Sequence, residues 1–241
     1  MWLAIETSGD EASVALGREG VVHARAGVSG ARRHAALLLP TVERVLEEAG
    51  RTLDDIEGVV VSDGPGSFTG LRVGATVAKS LAHDRGWPMR TASALLAQAW
   101  HGAGVPDRRK AEPVVLSVSN ALRGEVYAAV YRVASRMVTE LLAPTVMAPD
   151  GLRNTGFAPE IVVTGLDLPA ETWPPEARTI TGGGGILHAE SLIELLAVGN
   201  GTRIIENQET WEPEYGRPAE AQARWEAAHG RKLPDSPGAE R

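Results

Sequence analysis

Short apolar runs separated by turn clusters open the chain. Residues 2–6 are mostly apolar, 7–10 read Thr-Ser-Gly-Asp, 11–16 resume with small and apolar side chains, 17–20 turn again, and 21–26 form a third run. Runs of this length between turn clusters predict a three-stranded meander. Leu3, Ala4 and Ile5 make the first strand apolar on both faces, as a central strand requires. The period then changes. Leu38, Val42, Val45, Leu46 and Ala49 fall on one helical face, and Gly50 is suited to end it. Pro40 lies inside this pattern, where it either kinks the helix or marks its first turn. Leu37 and Leu39 widen the apolar surface beyond one stripe, the pattern of a helix covered on a second side.

The next unit is a buried strand at 59–61, a glycine loop, and a helix carrying Leu71, Gly74, Ala75, Val77, Ala78 and Leu81 over 70–83. Gly74, Ala75 and Ala78 are small enough for another helix to approach closely. A third helix is predicted over 92–100, and 101–113, rich in Gly, Pro and charge, reads as a linker. Beyond it, 114–118, 126–133 and 161–164 read as strands, 144–159 as irregular, and 186–198 and 218–229 as helices, the former preceded by Gly182-Gly183-Gly184-Gly185. The second half partly echoes the first. The expected organisation is an α/β lobe at 1–104, a smaller and less regular lobe at 105–230, and a disordered tail at 231–241.

Composition narrows the function classes. The 241 residues include no cysteine, which removes disulfides, thiol nucleophiles and cysteine metal sites. No apolar run approaches the roughly 18 residues of a membrane helix, and the first residues lack the basic n-region of a signal peptide. A cytoplasmic protein is expected. The net charge of −7, with basic clusters only at Arg32-Arg33-His34 and Arg108-Arg109-Lys110, disfavours strong direct binding to nucleic acid.

The candidate chemistry centres on Gly64, Pro65, Gly66, Ser67, Phe68, Thr69, Gly70 and Arg72. A strand, glycine loop and helix can aim backbone N–H groups at a phosphate. Yet G-x-G-x-x-G fails at Thr69, and the P-loop fails because Gly70 is followed by Leu71-Arg72. The favoured reading of the loop is a rigid turn that places a helix. Glu6, Thr7 and Ser8 end the first strand, either facing a nucleotide cleft between lobes or capping a hairpin turn. No histidines form the i, i+4 pair of a helical metal site, since Leu38 follows His34 at that spacing. G-x-S-x-G fails around Ser67. Arg123 and Glu125 read as a pair that holds a turn. No catalytic residue and no metal ligand is assigned.

Residues 3–8, His34 with Leu38-Leu39-Pro40, the run from Gly64 to Arg72, Arg123-Gly124-Glu125-Val126-Tyr127 and Glu212-Pro213-Glu214-Tyr215-Gly216-Arg217 together resemble the TsaB family. The resemblance is strong over about 1–100 and patchier over 110–230. The chain has Glu6 and Asn120 where that family carries Asp, and Leu122 where it carries Arg. The resemblance implies an actin-like, ribonuclease-H-like fold of two lobes with mixed sheets flanked by helices. It implies a non-catalytic subunit that binds and activates TsaD, the metal-bearing transferase that places threonylcarbamoyl on a tRNA adenosine. TsaD pairs two histidines on its first helix, where this chain has His34 and Leu38. A TsaE-type ATPase is an implied third component, with tRNA reached only through the complex. No cofactor of its own is implied, ATP or ADP sitting at the complex interface. The implied partner surface is on the first two helices: His34, Leu37, Leu38, Val42 and Val45, with Leu71, Gly74, Ala75, Ala78 and Leu81. The same surface would form a homodimer when the chain is alone. The alternative is a free-standing ATP-dependent small-molecule kinase or a protease-like enzyme of the actin-like superfamily.

Overall fold

The computed structural model describes residues 1–29, 34–104, 112–181, 188–217, 225 and 228–230, with the side chains of Ser29 and His34 outside that description. Arg32 and Arg33 of the first basic cluster, the cluster at 108–110, the glycine run at 182–185, most of the helix predicted over 218–229 and the tail at 231–241 also lie outside it.

The meander forms as expected: β1 (Trp2–Glu6), β2 (Glu11–Arg18) and β3 (Val21–Ser29) pair antiparallel in sequence. After helix α1 (His34–Glu48), strand β4 (Gly58–Ser62) pairs parallel with β1. Helix α2 (Phe68–Arg85) leads to β5 (Met89–Ala92), parallel with β4, and then to α3 (Ala94–Gly102). The second half repeats the plan. Strands β6 (Val114–Asn120), β7 (Val126–Val133) and β8 (Val138–Met147) form a meander. Strands β9 (Ile161–Thr164) and β10 (Arg178–Ile180) extend it in parallel on the β6 side. Helix α4 (Ala189–Leu195) and strand β11 (Arg203–Ile204) follow. The sheet orders are β11-β5-β4-β1-β2-β3 and β10-β9-β6-β7-β8.

Strand β1, apolar on both faces as expected, sets the layers. Leu3 and Ile5 face one cluster, which holds Leu38, Val42 and Val45 of α1 and Ala78 and Ala82 of α2. Ala4 faces the other cluster, with Leu95 and Ala99 of α3, Leu192 and Ile193 of α4, and Ala129 and Tyr131 of the second sheet. Helices α3 and α4 therefore lie in one continuous core shared by both sheets. A third cluster, with Leu116, Val130, Leu152 and Trp173, covers the far face of the second sheet.

Two expectations need correction. The division at 104/105 is not a clean lobe boundary, because α4 packs on β1 and β2 and β11 adds a strand beside β5. Ile205 and Trp211 likewise join the core of the first lobe. The pattern of a short, partly exposed return strand is too weak to show this. Second, residues 144–147 are strand, not loop. Thr145 pairs with Ala128 and Leu142 with Val130, so Pro144 falls at a register shift on an edge strand, where a missing N–H is tolerated. Of the two placements left open for Pro40, the structure has it inside α1, on the exposed side, and Thr41 donates from its hydroxyl to the Leu37 carbonyl at 2.7 Å.

Candidate functional site: the cleft between the lobes

The C-terminal ends of β1, β4, β6 and β9 open onto one cleft of about 960 Å³. Ser8, Gly9, Asp10 and Glu11 line it from the β1–β2 turn, and Gly66, Ser67, Phe68 and Thr69 from the glycine loop. The second lobe contributes Ser119, Asn120, Ala121, Leu122, Arg123 and Tyr127 from the β6–β7 turn, with Gly165 and Leu166 after β9. A crevice outside the carboxyl ends of strands is the usual ligand position in open α/β sheets.

Three amides of the glycine loop and first turn of α2 are used internally. The Ser67 N–H donates to the Ser8 carbonyl at 2.7 Å, the Gly70 N–H to Ser67 Oγ at 3.2 Å, and the Leu71 N–H to the Ser67 carbonyl at 2.8 Å. Ser67 is thus the N-cap of α2, and Gly86, at φ 65°, its left-handed C-cap. Thr7 explains the glycines. A Cβ on Gly70 would run into the Thr7 carbonyl oxygen, and one on Gly74 into Thr7 Oγ1. The helix crosses the end of β1 at backbone distance.

Of the three polar residues nominated at the end of β1, only Ser8 reaches the cleft. Glu6 and Thr7 are fully buried beneath it. Glu6 Oε1 accepts from the Ser8 N–H and the Ser8 hydroxyl, both at 2.6 Å, and from the Ser62 hydroxyl at 2.9 Å, while Oε2 has no hydrogen-bond partner among the described residues. Glu6 therefore ties β1 to β4. Burial raises its pKa above the ordinary 4.5, and the hydrogen bonds from Ser8 and Ser62 offset this only in part. A raised carboxyl pKa means the folded state binds more protons than the unfolded one, so the charge costs stability. That cost is fully present above the folded pKa and is relieved as pH falls towards the unfolded value of 4.5. Glu6→Gln keeps the Oε1 acceptor and removes the charge. Its Tm should exceed that of the unmodified protein at pH 8, with the gap closing as pH approaches 4.5. A gap that does not change with pH would contradict this assignment.

The nominated helix residues divide sharply. Leu38, Val42, Val45, Leu71, Gly74, Ala75 and Ala78 are buried in this chain's own core and offer no surface. Their small or apolar character serves packing on β1, β2 and β4. Leu37 and Leu81 are half-exposed, and the His34 side chain is outside the described residues. Leu39, at 51% exposure, Val73 and Val77 complete the accessible apolar surface. Arg123 and Glu125 do not hold their turn as a pair. Glu125 is ion-paired with Arg217, and the turn is held by the Asn120 side chain, whose Oδ1 accepts from the Leu122 N–H at 2.7 Å.

Sequence reasoning missed Gln98, Leu166, Tyr215 and Arg217 as cleft residues. Gln98 left a signal: it is a polar residue inside the apolar run of α3, and it is buried with Oε1 accepting from the Ser117 hydroxyl at 2.6 Å. Among the described residues no group of three or more His, Asp or Glu side chains converges as a metal site would require, and no helix is long and apolar enough to cross a membrane.

Two lobes built on one repeated strand plan, with a cleft at the ends of the parallel strands, define an actin-like α/β protein. The family model described as "TsaD: tRNA N6-adenosine threonylcarbamoyltransferase" matches residues 19–180. The chain belongs to the TsaB family. It is 38% identical over 130 residues to the tRNA threonylcarbamoyladenosine biosynthesis protein TsaB of Escherichia coli (strain K12), covering 54% of each chain. It is 31% identical over 140 residues to TsaB of Bacillus subtilis (strain 168), covering 58% of each. The matches span about half the length of these curated relatives. A solved structure from Pseudomonas aeruginosa, of an uncharacterized protein with similarity to peptidase YEAZ, superposes with a TM-score of 0.72 at 27% identity, covering 90% of this chain and 99% of that one.

Proposed function

We propose that this chain is a non-catalytic subunit that binds and activates a TsaD-type transferase in the modification of tRNA to threonylcarbamoyladenosine. The observation that carries the reading is the surface of α1 and α2. Helices α1 and α2 pack beside each other on one core, and Leu39 of α1 is exposed there at 51%. On α2, Val73, Val77 and Leu81 recur at every fourth residue and remain half-exposed against the same core. Together they give an apolar stripe on neighbouring helices, flanked by the small polar Thr76 and Ser80. Leu38 supports the reading from the other side. It occupies the position a second histidine would need in a paired metal motif, and it is buried among aliphatic side chains.

In this reading the stripe pairs with the equivalent helices of the transferase, and with a second copy of this chain when the transferase is absent. A TsaE-type ATPase joins the assembly in the cytoplasm, ATP or ADP belongs to the assembled interface, and tRNA is contacted through the complex, as the net charge of −7 favours. Reconstitution tests this directly. A TsaD-type transferase assayed for tRNA modification should gain activity on addition of this chain and co-elute with it. Equal activity with and without it, in the absence of co-elution, overturns the proposal.

A further inference from the structure

Three motifs remain unexplained by a partner surface on α1 and α2: the Gly64-Pro65 start of the glycine loop, the β6–β7 turn, and the Pro-x-Tyr-x-Arg element near the end of the chain. The structure brings them together. Residues 203–217 run along the flank of α2 opposite its apolar stripe. Arg203 pairs with the buried Asp63 at 2.6 Å, and Gln208 Nε2 donates to the Trp87 carbonyl at 2.9 Å. Lys79 Nζ donates to the carbonyls of Glu209 at 3.1 Å and Trp211 at 2.9 Å. The Glu214 N–H donates to the Asp63 carbonyl at 2.6 Å. The Tyr215 ring then lies 4.5 Å from that of Phe68, whose other neighbour is the Arg72 guanidinium at 4.9 Å.

From there the segment crosses to the second lobe. Tyr127 donates from its hydroxyl to the Tyr215 carbonyl at 3.1 Å, and Arg217 Nη2 is ion-paired with Glu125 Oε2. The crossing is tight enough to dictate glycine twice. Gly64 has φ 105°, and a Cβ there would strike the Glu214 carbonyl. Gly216 has φ 69°, and a Cβ there would come within 2.6 Å of the Tyr127 ring and 3.0 Å of Pro65 Cβ.

We infer that residues 212–217 are a latch that joins the two lobes across the cleft and fixes the first turn of α2, so that lobe closure and partner binding are coupled. The coupling to a partner rests on the function proposed above; the latch itself does not. Phe68 and Arg72 belong to α2 and touch Tyr215, while Tyr127 and Glu125 belong to the second lobe and hold Tyr215 and Arg217. A shift of either lobe is therefore felt at the start of the partner helix. The Arg217–Glu125 pair is the outermost link, with side-chain exposures of 21% and 44%, and so the one that can be exchanged without disturbing the core.

The experiment is amide hydrogen exchange on the full chain carrying Arg217→Glu, Glu125→Arg, or both. Each single variant should speed exchange at residues 66–72 and 125–127 by at least about tenfold while the β1 and β4 amides keep their protection, and the charge-swapped double variant should restore slow exchange. Gly216→Val, which blocks the crossing by bulk rather than charge, should open the same segments. Unchanged exchange in the singles and in Gly216→Val overturns the latch, as does a uniform rise throughout the chain. Titration with a TsaD-type transferase then tests the coupling: the singles should bind about fivefold more weakly although neither residue lies on the apolar stripe. Equal affinity alongside an opened latch overturns the coupling. An unmodified chain that does not bind the transferase refutes the proposed function, with the exchange result still deciding the latch.

Discussion

Replacing Val77 by glutamate should leave the chain folded and lower its affinity for a TsaD-type transferase by about 100-fold or more, a loss of roughly 3 kcal/mol. The same change one residue later, Ala78→Glu, should remove the folded protein. The two positions differ only in which side of α2 they occupy. Val77 is half-exposed on the stripe that includes Val73 and Leu81. A carboxylate there stays hydrated in the free chain and is driven into an apolar contact only on association, where its desolvation opposes binding. Ala78 has no exposure and sits in the cluster formed with Leu3, Ile5, Val59 and Val61. A charge at that site has no water and no partner, and the cost of several kcal/mol is comparable with the roughly 5–15 kcal/mol that holds a domain together. Thermal unfolding followed by circular dichroism separates the two cases, and calorimetric titration measures the affinity. A folded Val77→Glu variant that still binds at the original affinity would move the interface elsewhere. A folded Ala78→Glu variant would contradict the packing of α2.

That contrast also marks how far the sequence could be read. The 3.6 period on α1 and α2 located both helices, and the meander and glycine loop placed them on a mixed sheet. The period identifies the apolar face but does not say what covers it. Leu38, Val42, Val45 and Ala78 have the composition expected of a partner surface and equally of a face packed on one's own sheet. The flanking residues Leu39, Val73 and Val77 could be separated from them only once the sheet beneath was in place. The return of the chain to the first lobe was hidden for a different reason. Strand β11 has two residues, both exposed, and carries no alternation to detect. Its anchor is the ion pair from Arg203 to Asp63, 140 residues away in sequence. Long-range pairs of this kind leave no periodic trace. The cleft was half legible. Ser8 and Gly66 to Thr69 stood out as a turn and a glycine loop, whereas Gln98, Leu166, Tyr215 and Arg217 are brought to the cleft by α3, β9 and the returning segment.

The glycine loop carries the second large effect. Gly70→Ala should destabilise the chain by about 2–3 kcal/mol or more in urea unfolding, against the usual expectation for a helical glycine. Alanine in place of glycine within a helix normally gains roughly 0.5–1 kcal/mol through helix propensity and a less flexible unfolded chain. Here the added methyl meets the Thr7 carbonyl oxygen, and the neighbours at the site, Thr7 C and Ser67 Cβ, lie at 3.2 and 3.3 Å. The obstacle is backbone, so relief requires moving α2 off the end of β1 and breaking the Ser67 hydrogen bond to Ser8. Packing strain exceeds the propensity gain by a factor of about three, which fixes the sign. Gly74→Ala meets the same residue through its side-chain Oγ1, which can rotate, and should cost less. Because both methyls press on Thr7, the double variant should cost less than the sum of the singles, for once α2 has shifted to admit one the other is partly accommodated. Thr76→Ala, on the exposed side of the same helix, reports the propensity effect alone. If Gly70→Ala proves as stable as Thr76→Ala, the close crossing of α2 over β1 is wrong, and the glycines must be explained by something other than that approach.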